Sequence, residues 1–444
     1  SGPTPLNGAG PIVSSGPNFK AGTYTLSEGP GPGGYSASAW ACDGGSLQGS
    51  ILTLAPGESA NCTITNDDDA VDLTLNKVVV NNNGGTAVPA NWTLSADGPT
   101  PFSDLGPSVS SPANFEAGSY VLSEIAGPGG YTASAWECDG GSLEGNTLTL
   151  ALGESANCTI TNDDQPPSLV LNKVVTNDNG GNAVPEDWTL SAAGPMVLSG
   201  PGPLVSSGAD FPAGSYILSE SGDQPGYTAS AWVCDGGTLV GTTLTLGIGQ
   251  SASCTITNDD QAPSLTLDKI VVNNNGGTAS ESDWTLTANG GPTPISGPGA
   301  AGNTDVQSGA GFKTGTYTLS ESAGPAGYTA SSWSCMGGSL AGNAITVGLG
   351  ESATCTITND DDAVSLSLNK EVTNDNGGTA APADWTLSAA GPTPFSGPGP
   401  SVSSPEIFEA GSYVLSESTG PDGYTAAAWE CDGGSLVGNT LTLE

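Results

Sequence analysis

Histidine and arginine are absent from this 444-residue chain, and lysine occurs only six times. Without histidine, the side chain that usually moves protons near neutral pH is missing. Without arginine, there is no planar clamp for a phosphate or carboxylate. No glycine-rich phosphate loop follows a strand pattern and no serine sits in a nucleophile elbow, so a turnover enzyme is excluded for this stretch. Nucleic acid is excluded as a partner, because six cations cannot neutralise a run of phosphates. An anionic membrane surface repels the chain, and no run of 18 apolar residues offers a transmembrane helix. Helical periodicity is absent over any window of eleven residues, which leaves an all-β reading. Neither a leader at Ser1 nor a sorting signal at Glu444 is visible. The expectation is that the ends are processed or that the stretch comes from a longer chain.

The net charge of −39 comes from 45 acidic residues that lack counterparts, not from an excess of acid. Charged residues make up 11% of the chain, against roughly 25% in ordinary domains. Glycine (67) and proline (33) are plentiful, yet 36% of the residues are hydrophobic. Units of about 90 residues can therefore bury modest cores.

What is present is repetition. Tyr24, Tyr120, Tyr216, Tyr317 and Tyr413 recur at intervals of 96 residues, except for one interval of 101 that carries a short insertion. A period this long is a whole domain rather than a solenoid rung. Partial units are expected at residues 1–66 and 365–444. Complete ones are expected at 71–162, 168–258 and 264–359, the last with the loop insertion. The nine cysteines pair by arithmetic: Cys42 with Cys62, Cys138 with Cys158, Cys234 with Cys254, and Cys335 with Cys355, each 20 residues apart, leaving Cys431. Close pairs without histidine read as disulfides made in an oxidising compartment. Two thiols per unit and no CxxC spacing do not fill a zinc shell.

Within one unit, residues 71–80 alternate apolar and polar, as in a half-buried strand. Residues 81–85 (Asn-Asn-Asn-Gly-Gly) are a strong turn signal. Residues 92–95 form a second strand, and 99–112 a long loop holding at most one short strand. Strands follow at 119–124 and 131–136, then a turn at 138–141, and the unit closes with strands at 146–150 and 156–162. About seven short strands with turns between them read as an immunoglobulin-like β-sandwich. Joints such as residues 162–168 are short and proline-bearing, which implies an elongated rod rather than beads on a tether.

Strand parity exposes a recurring interior cluster, because residues two apart share a face. Leu73, Leu75, Lys77 and Val79 share one, and Leu169, Leu171, Lys173, Val175 and Leu265, Leu267, Lys269, Val271 repeat it. In the fifth unit Lys370 lies inward and Glu371 outward. By the same parity Tyr120, Leu122 and Glu124 face inward, as do Cys158, Ile160 and Asn162. Each complete unit thus aims one lysine, one glutamate and one asparagine at its core, and a charge buried there needs a partner or a reaction. Two readings fit equally. One is a buried ion pair with asparagine satisfying leftover lone pairs. The other is a self-formed isopeptide bond, in which burial lowers the lysine pKa, raises that of glutamate and lets the neutral amine attack the carboxamide.

The phrases LTLNKVV, AGSYVLSE, GGYTASAW and CTITND occur in fixed order along the whole chain. In that order they resemble the CnaB-type, SpaA-like or prealbumin-like, domains of bacterial surface proteins and pili. The resemblance implies that Lys77 bonds to Asn162 beside Glu124, Lys173 to Asn258 beside Glu220, and Lys269 to Asn359 beside Glu321. The glutamates would be the catalytic groups of a single-turnover, self-directed reaction. Glu28 and Asn66 in the first unit, and Lys370 and Glu417 in the fifth, form incomplete triads. The cysteine pairs and tryptophans depart from the family pattern.

Weaker signals remain. The NDD clusters at 66–69, 162–164, 258–260 and 359–362, with the NDNGG loops at 177–181 and 374–378, offer oxygen ligands for Ca²⁺ at the joints. The preferred reading is a strand-ending acidic turn and an Asn-Gly hairpin, with no cofactor and no resident metal. Trp92, Trp136 and Trp188 read as core packing before a sugar platform. Asn61, Asn91 and Asn157 head glycosylation sequons. The functional expectation is a secreted, microbial-surface fibre or stalk of stapled domains whose partners are copies of itself or other fibre subunits. The alternative is a calcium-rigidified adhesin extender or ligand-binding repeat. Two incomplete ends also raise the option of strand donation between chains.

Overall fold

The computed structural model describes residues 1–125, 127–300 and 306–444. Residues 301–305, part of the insertion expected in the fourth unit, lie outside the described residues. The architecture is all-β, with four 3-10 turns among the described residues, such as Pro89–Asn91. Five sandwiches follow one another along the chain.

The second unit sets the pattern. One sheet has the order Phe102–Leu105, Thr93–Asp97, Gly118–Ile125, Thr147–Leu150, Ser142–Glu144, all antiparallel. The other is built around the last strand of the unit, Ser155–Asp164. It runs parallel to the first strand, Asp72–Val80, and antiparallel to Tyr131–Ala133 and to the cysteine strand Glu137–Asp139. Ser108–Ser110 borders the first strand. Leucines at alternate positions, such as Leu73, Leu75, Leu94, Leu122 and Leu148, fill the space between sheets with no exposed surface. Tyr120 stacks on Phe115 at 4.5 Å and donates its hydroxyl to the Glu116 carbonyl, which satisfies a polar tip inside an apolar core.

Among its described residues the unit holds ten strands, where about seven were expected. Residues 99–112 contain two of them, and residues 131–136 are a strand only as far as Ala133. Strands of three or four residues have too little alternation to reveal themselves. The turn at 138–141 is confined to Gly140 and Gly141, because Cys138 and Asp139 are paired in a strand. Both glycines have positive φ, and a Cβ at Gly140 would sit 2.1 Å from the Ser155 carbonyl oxygen.

The Asn-Gly hairpin reading is also corrected. Residues 81–85 cross from one sheet to the other instead of joining neighbouring strands. The NDD residues 162–164 are not a turn but the end of the last strand. Asp164 is 1% exposed and accepts the backbone N–H groups of Asn82, Asn83 and Gly85. Asp260 holds Asp178, Asn179 and Gly181 in the same way, and Asp361 holds Asn274, Asn275 and Gly277. A carboxylate that accepts several backbone amides fixes a loop that no ladder would otherwise order.

That loop meets the next unit. The Asn83, Asn179 and Asn275 carbonyls accept the N–H groups of Ala213, Thr314 and Ala410 across successive joints. A single linker residue ties both sides as well. Gln165 donates to the Gly130 carbonyl of its own unit and accepts from Gly249 of the following one, and Gln261 does the same with Gly226 and Gly350.

The end units have shorter strands. In the fifth, the first strand is Ser367–Asn369 and residues 424–431 form no strand. In the first unit, without a first strand, the last one survives as two pieces, Asn61–Thr63 and Asn66–Asp68.

Candidate functional site

The site lies where the two sheets face each other near the end of the last strand. In the parallel register Lys77 is opposite Ile160, and Asn162 is opposite Val79. Lysine and asparagine therefore share the inward face as diagonal neighbours, within reach of a long side chain. Glu124, on the facing sheet, meets the lysine from the other side: Lys77 Nζ lies 3.1 Å from Glu124 Oε2. The corresponding distances are 2.9 Å for Lys173 and Glu220, and 2.7 Å for Lys269 and Glu321. All three lysine side chains have no exposed surface, while the glutamates keep 13–15%. In the second unit the Lys77–Glu124 contact is an ion pair without hydrogen-bond alignment, and Nζ also donates to the Ile160 carbonyl at 3.5 Å.

An indole closes each site. Lys77, Lys173, Lys269 and Lys370 place Nζ 4.5–5.0 Å from the ring centroids of Trp92, Trp188, Trp284 and Trp385. These tryptophans are buried, as core packing requires, and they carry no exposed platform for a sugar. Burial pushes the Lys77, Lys173 and Lys269 amines below the ordinary lysine value, and the partner glutamate opposes that shift without cancelling it.

The asparagines complete the cluster with an anomaly. Asn162, Asn258 and Asn359 are each 3% exposed, and the Oδ1 of each accepts no hydrogen bond. A buried carbonyl oxygen left without a donor costs about 1–3 kcal/mol, and the same omission in three units points to a common cause. The incomplete units hold halves of the cluster. Asn66 donates to Glu28 Oε1 at 2.7 Å in the first. Lys370 pairs with Glu417 in the fifth, where the lysine side chain is 16% exposed.

The four expected disulfides are present: Cys42 with Cys62, Cys138 with Cys158, Cys234 with Cys254, and Cys335 with Cys355. Each bridges directly opposed residues of the cysteine strand and the last strand. Cys431 is a free thiol, pushed upward by burial and by Asp432. At the joints, carboxylate oxygens of Asp178, Asp259 and Asp260 lie within 4.8 Å of one another, but those of Asp260 already accept the loop amides.

The repeat, the sandwich topology and the lysine strand agree with one family. A prealbumin-like fold domain of the SpaA type matches residues 1–64, 68–160, 164–256, 260–357 and 361–444. The chain belongs to the prealbumin-like fold domain family. Comparison with curated proteins finds no match. Among solved structures, the Bacillus anthracis TIE protein is similar at 11% identity and a TM-score of 0.41, over 97% of this chain and 73% of that one. The pilus adhesin SpaC from Lactobacillus rhamnosus GG is similar at 14% identity and a TM-score of 0.25, over 70% of this chain and 46% of that one. Two B repeat units of the Staphylococcus aureus collagen binding protein are similar at 16% identity and a TM-score of 0.23, over 84% and 98%. Three complete units combine a cysteine pair with a tryptophan laid over the lysine. No helix among the described residues is long and apolar enough to cross a membrane.

Proposed function

We propose that the chain is a structural stretch of an extracellular fibre or surface stalk, and that each complete unit locks itself with a Lys–Asn isopeptide bond. The observation that carries the reading is the threefold recurrence of a fully buried lysine, a facing glutamate and an asparagine whose oxygen is unpartnered. In the third unit the neutral Lys173 amine attacks Cγ of Asn258. The Nζ–Cγ bond forms, the Cγ–Nδ2 bond breaks and ammonia leaves. The ion-paired Lys173 ammonium first gives one proton to Glu220, which leaves the neutral amine and a protonated carboxyl that donates to Oδ1, the partner this oxygen lacks. During the attack the carboxyl accepts the amine's next proton on one oxygen as it releases its own to the departing nitrogen, so Glu220 ends protonated against the new amide oxygen. The buried tryptophan excludes water from the amine.

Such a bond would join the first and last strands of a unit, through which tension enters and leaves. The disulfide is a second staple, and closing a loop of this size contributes about 3 kcal/mol. Membership of the prealbumin-like fold domain family, four disulfides and a tandem array of units support a place on a microbial surface, with copies or other fibre subunits as partners. The alternative of a Ca²⁺-stiffened extender is less favoured, because backbone donors already occupy Asp164, Asp260 and Asp361. Intact mass decides the chemistry. After the hydrogens lost to disulfides are subtracted, the chain should fall short of its sequence mass by one ammonia for each complete unit. A full sequence mass would remove the isopeptide reading. A chelator should leave the melting of the chain unchanged.

A further inference from the structure

The last strand of each complete unit has to settle in one register for the lysine to meet a carboxamide. A slip of one residue would turn Thr257 or Asp259 inward in place of Asn258. A slip of two would present Ile256 or Asp260. The hydrophobic pattern resists the first error but resists the second poorly, because Cys254, Ile256 and Asn258 alternate with Thr255 and Thr257 in a short repeating phrase. Parallel pairing with the first strand does not supply a turn that would count residues, since the two strands lie at opposite ends of the unit.

The disulfide does count them. Cys234 stands directly opposite Cys254, four residues before Asn258 on the same face, and the same strand pairs Ala229 with Asn258. The first unit shows the pair and the asparagine together. No lysine strand is present there, yet Cys42 and Cys62 are joined in register and Asn66 already donates to Glu28. The glutamate–asparagine half therefore stands with the disulfide and without the lysine.

We infer that the disulfide is the register pin of the amide-forming site, so that isopeptide formation in each complete unit depends on prior oxidation of its cysteine pair. The inference rests on the isopeptide reading above. Cys234 and Cys254 are positioning residues: they touch neither Nζ nor Cγ, and act by holding Asn258 at the step where Lys173 arrives. The oxidation passes two electrons and two protons from the thiol pair to a disulfide-bearing oxidant by exchange. The amide step that follows is redox-neutral and releases only ammonia.

The test is made in the full chain with Cys234→Val/Cys254→Val, which keeps an apolar, strand-forming pair at both positions. Ammonia loss in the third unit is followed by peptide mass after synthesis, with the second and fourth units of the same molecule as references. Amide formation in the third unit should slow by about tenfold or more, since the loop closure that held the strand is gone, while the neighbours keep the parent rate. A second measurement uses the unaltered chain made under reducing conditions. All three units should lag together, and a small-molecule disulfide should restore them, whereas the third unit of the variant should stay slow. Equal rates in parent and variant, or no lag under reduction, would overturn the register pin and leave the isopeptide reading intact. Absence of ammonia loss everywhere in the oxidised parent would remove that reading and this inference with it.

Discussion

An ammonium group with no exposed surface is an expensive thing to keep, and each complete unit keeps one between a carboxylate and an indole. The two partners favour the charged form and burial favours the neutral one; for Lys173 burial wins, so the amine sits below its usual value. Replacing Glu220 with alanine removes both the counter-charge and the proton carrier. The third unit should then retain its ammonia and lose about 3 kcal/mol or more, the cost of leaving one member of a buried pair alone. Peptide mass reads the first effect and a localised early melting transition reads the second, with the second and fourth units unchanged. The lysine, glutamate and asparagine of this cluster were legible from strand parity alone, because a period of two assigns every residue to a face. The tryptophan over the amine and the unpartnered Oδ1 were not. Trp188 lies on the facing sheet side of the fold, and nothing in a linear pattern tells which ring a lysine passes under.

At the scale of the element, the most informative residues are the buried aspartates at the ends of the last strands. In a linear reading Asp163 and Asp164 look like strand breakers, and Asn-Gly looks like a hairpin, since both are short polar residues typical of turns. The structure uses them otherwise: the strand continues to Asp164, and its carboxylate organises the loop that reaches the following unit. For Asp260, burial by itself raises the carboxyl, but the N–H groups of Gly181 and Asn179, joined by the Asn179 amide and Asp178, outweigh it and set the net shift downward. Asp178 and Asp259 also face the group, and Tyr227 pairs opposite it. The sign follows. A lowered carboxylate contributes its full stabilisation above the ordinary carboxylate range, and that contribution is lost as pH falls through the lowered value. Asp260→Asn should reproduce the acidic state at neutral pH. The Asn179 carbonyl then loses its fixed position against the Thr314 amide, and hydrogen exchange at Thr314 should quicken by about tenfold, the equivalent of one net hydrogen bond. Ala213 and Ala410, at the neighbouring joints, should exchange as before.

For the whole molecule the question is whether the units are strung loosely or coupled. Short, proline-bearing joints pointed from the sequence to a stiff array, and the structure supplies the physical reason in the backbone. Gln165 and Gln261 each use both main-chain groups on different units, and Ile248 and Leu349 lie against Gly130 and Gly226 across the joints. Gly226 has φ +80°, and a Cβ there would come within 2.4 Å of Leu349 Cβ, so the close approach requires glycine. Charge makes stiffness testable. With a net charge of −39 and six cations, successive units repel one another at low ionic strength. Freely jointed units would extend in dilute buffer and contract once salt shortens the screening length to about 3 Å at molar concentration. Coupled units have little to gain from screening. Small-angle scattering should therefore return the same maximum dimension at low and high salt for the parent chain. Inserting a short glycine–serine segment after Gln165 removes the dual tether to Gly130 and Gly249, and that variant should contract with salt. If the parent contracted equally, the joints would be open in solution and each unit would bear load independently of its neighbours.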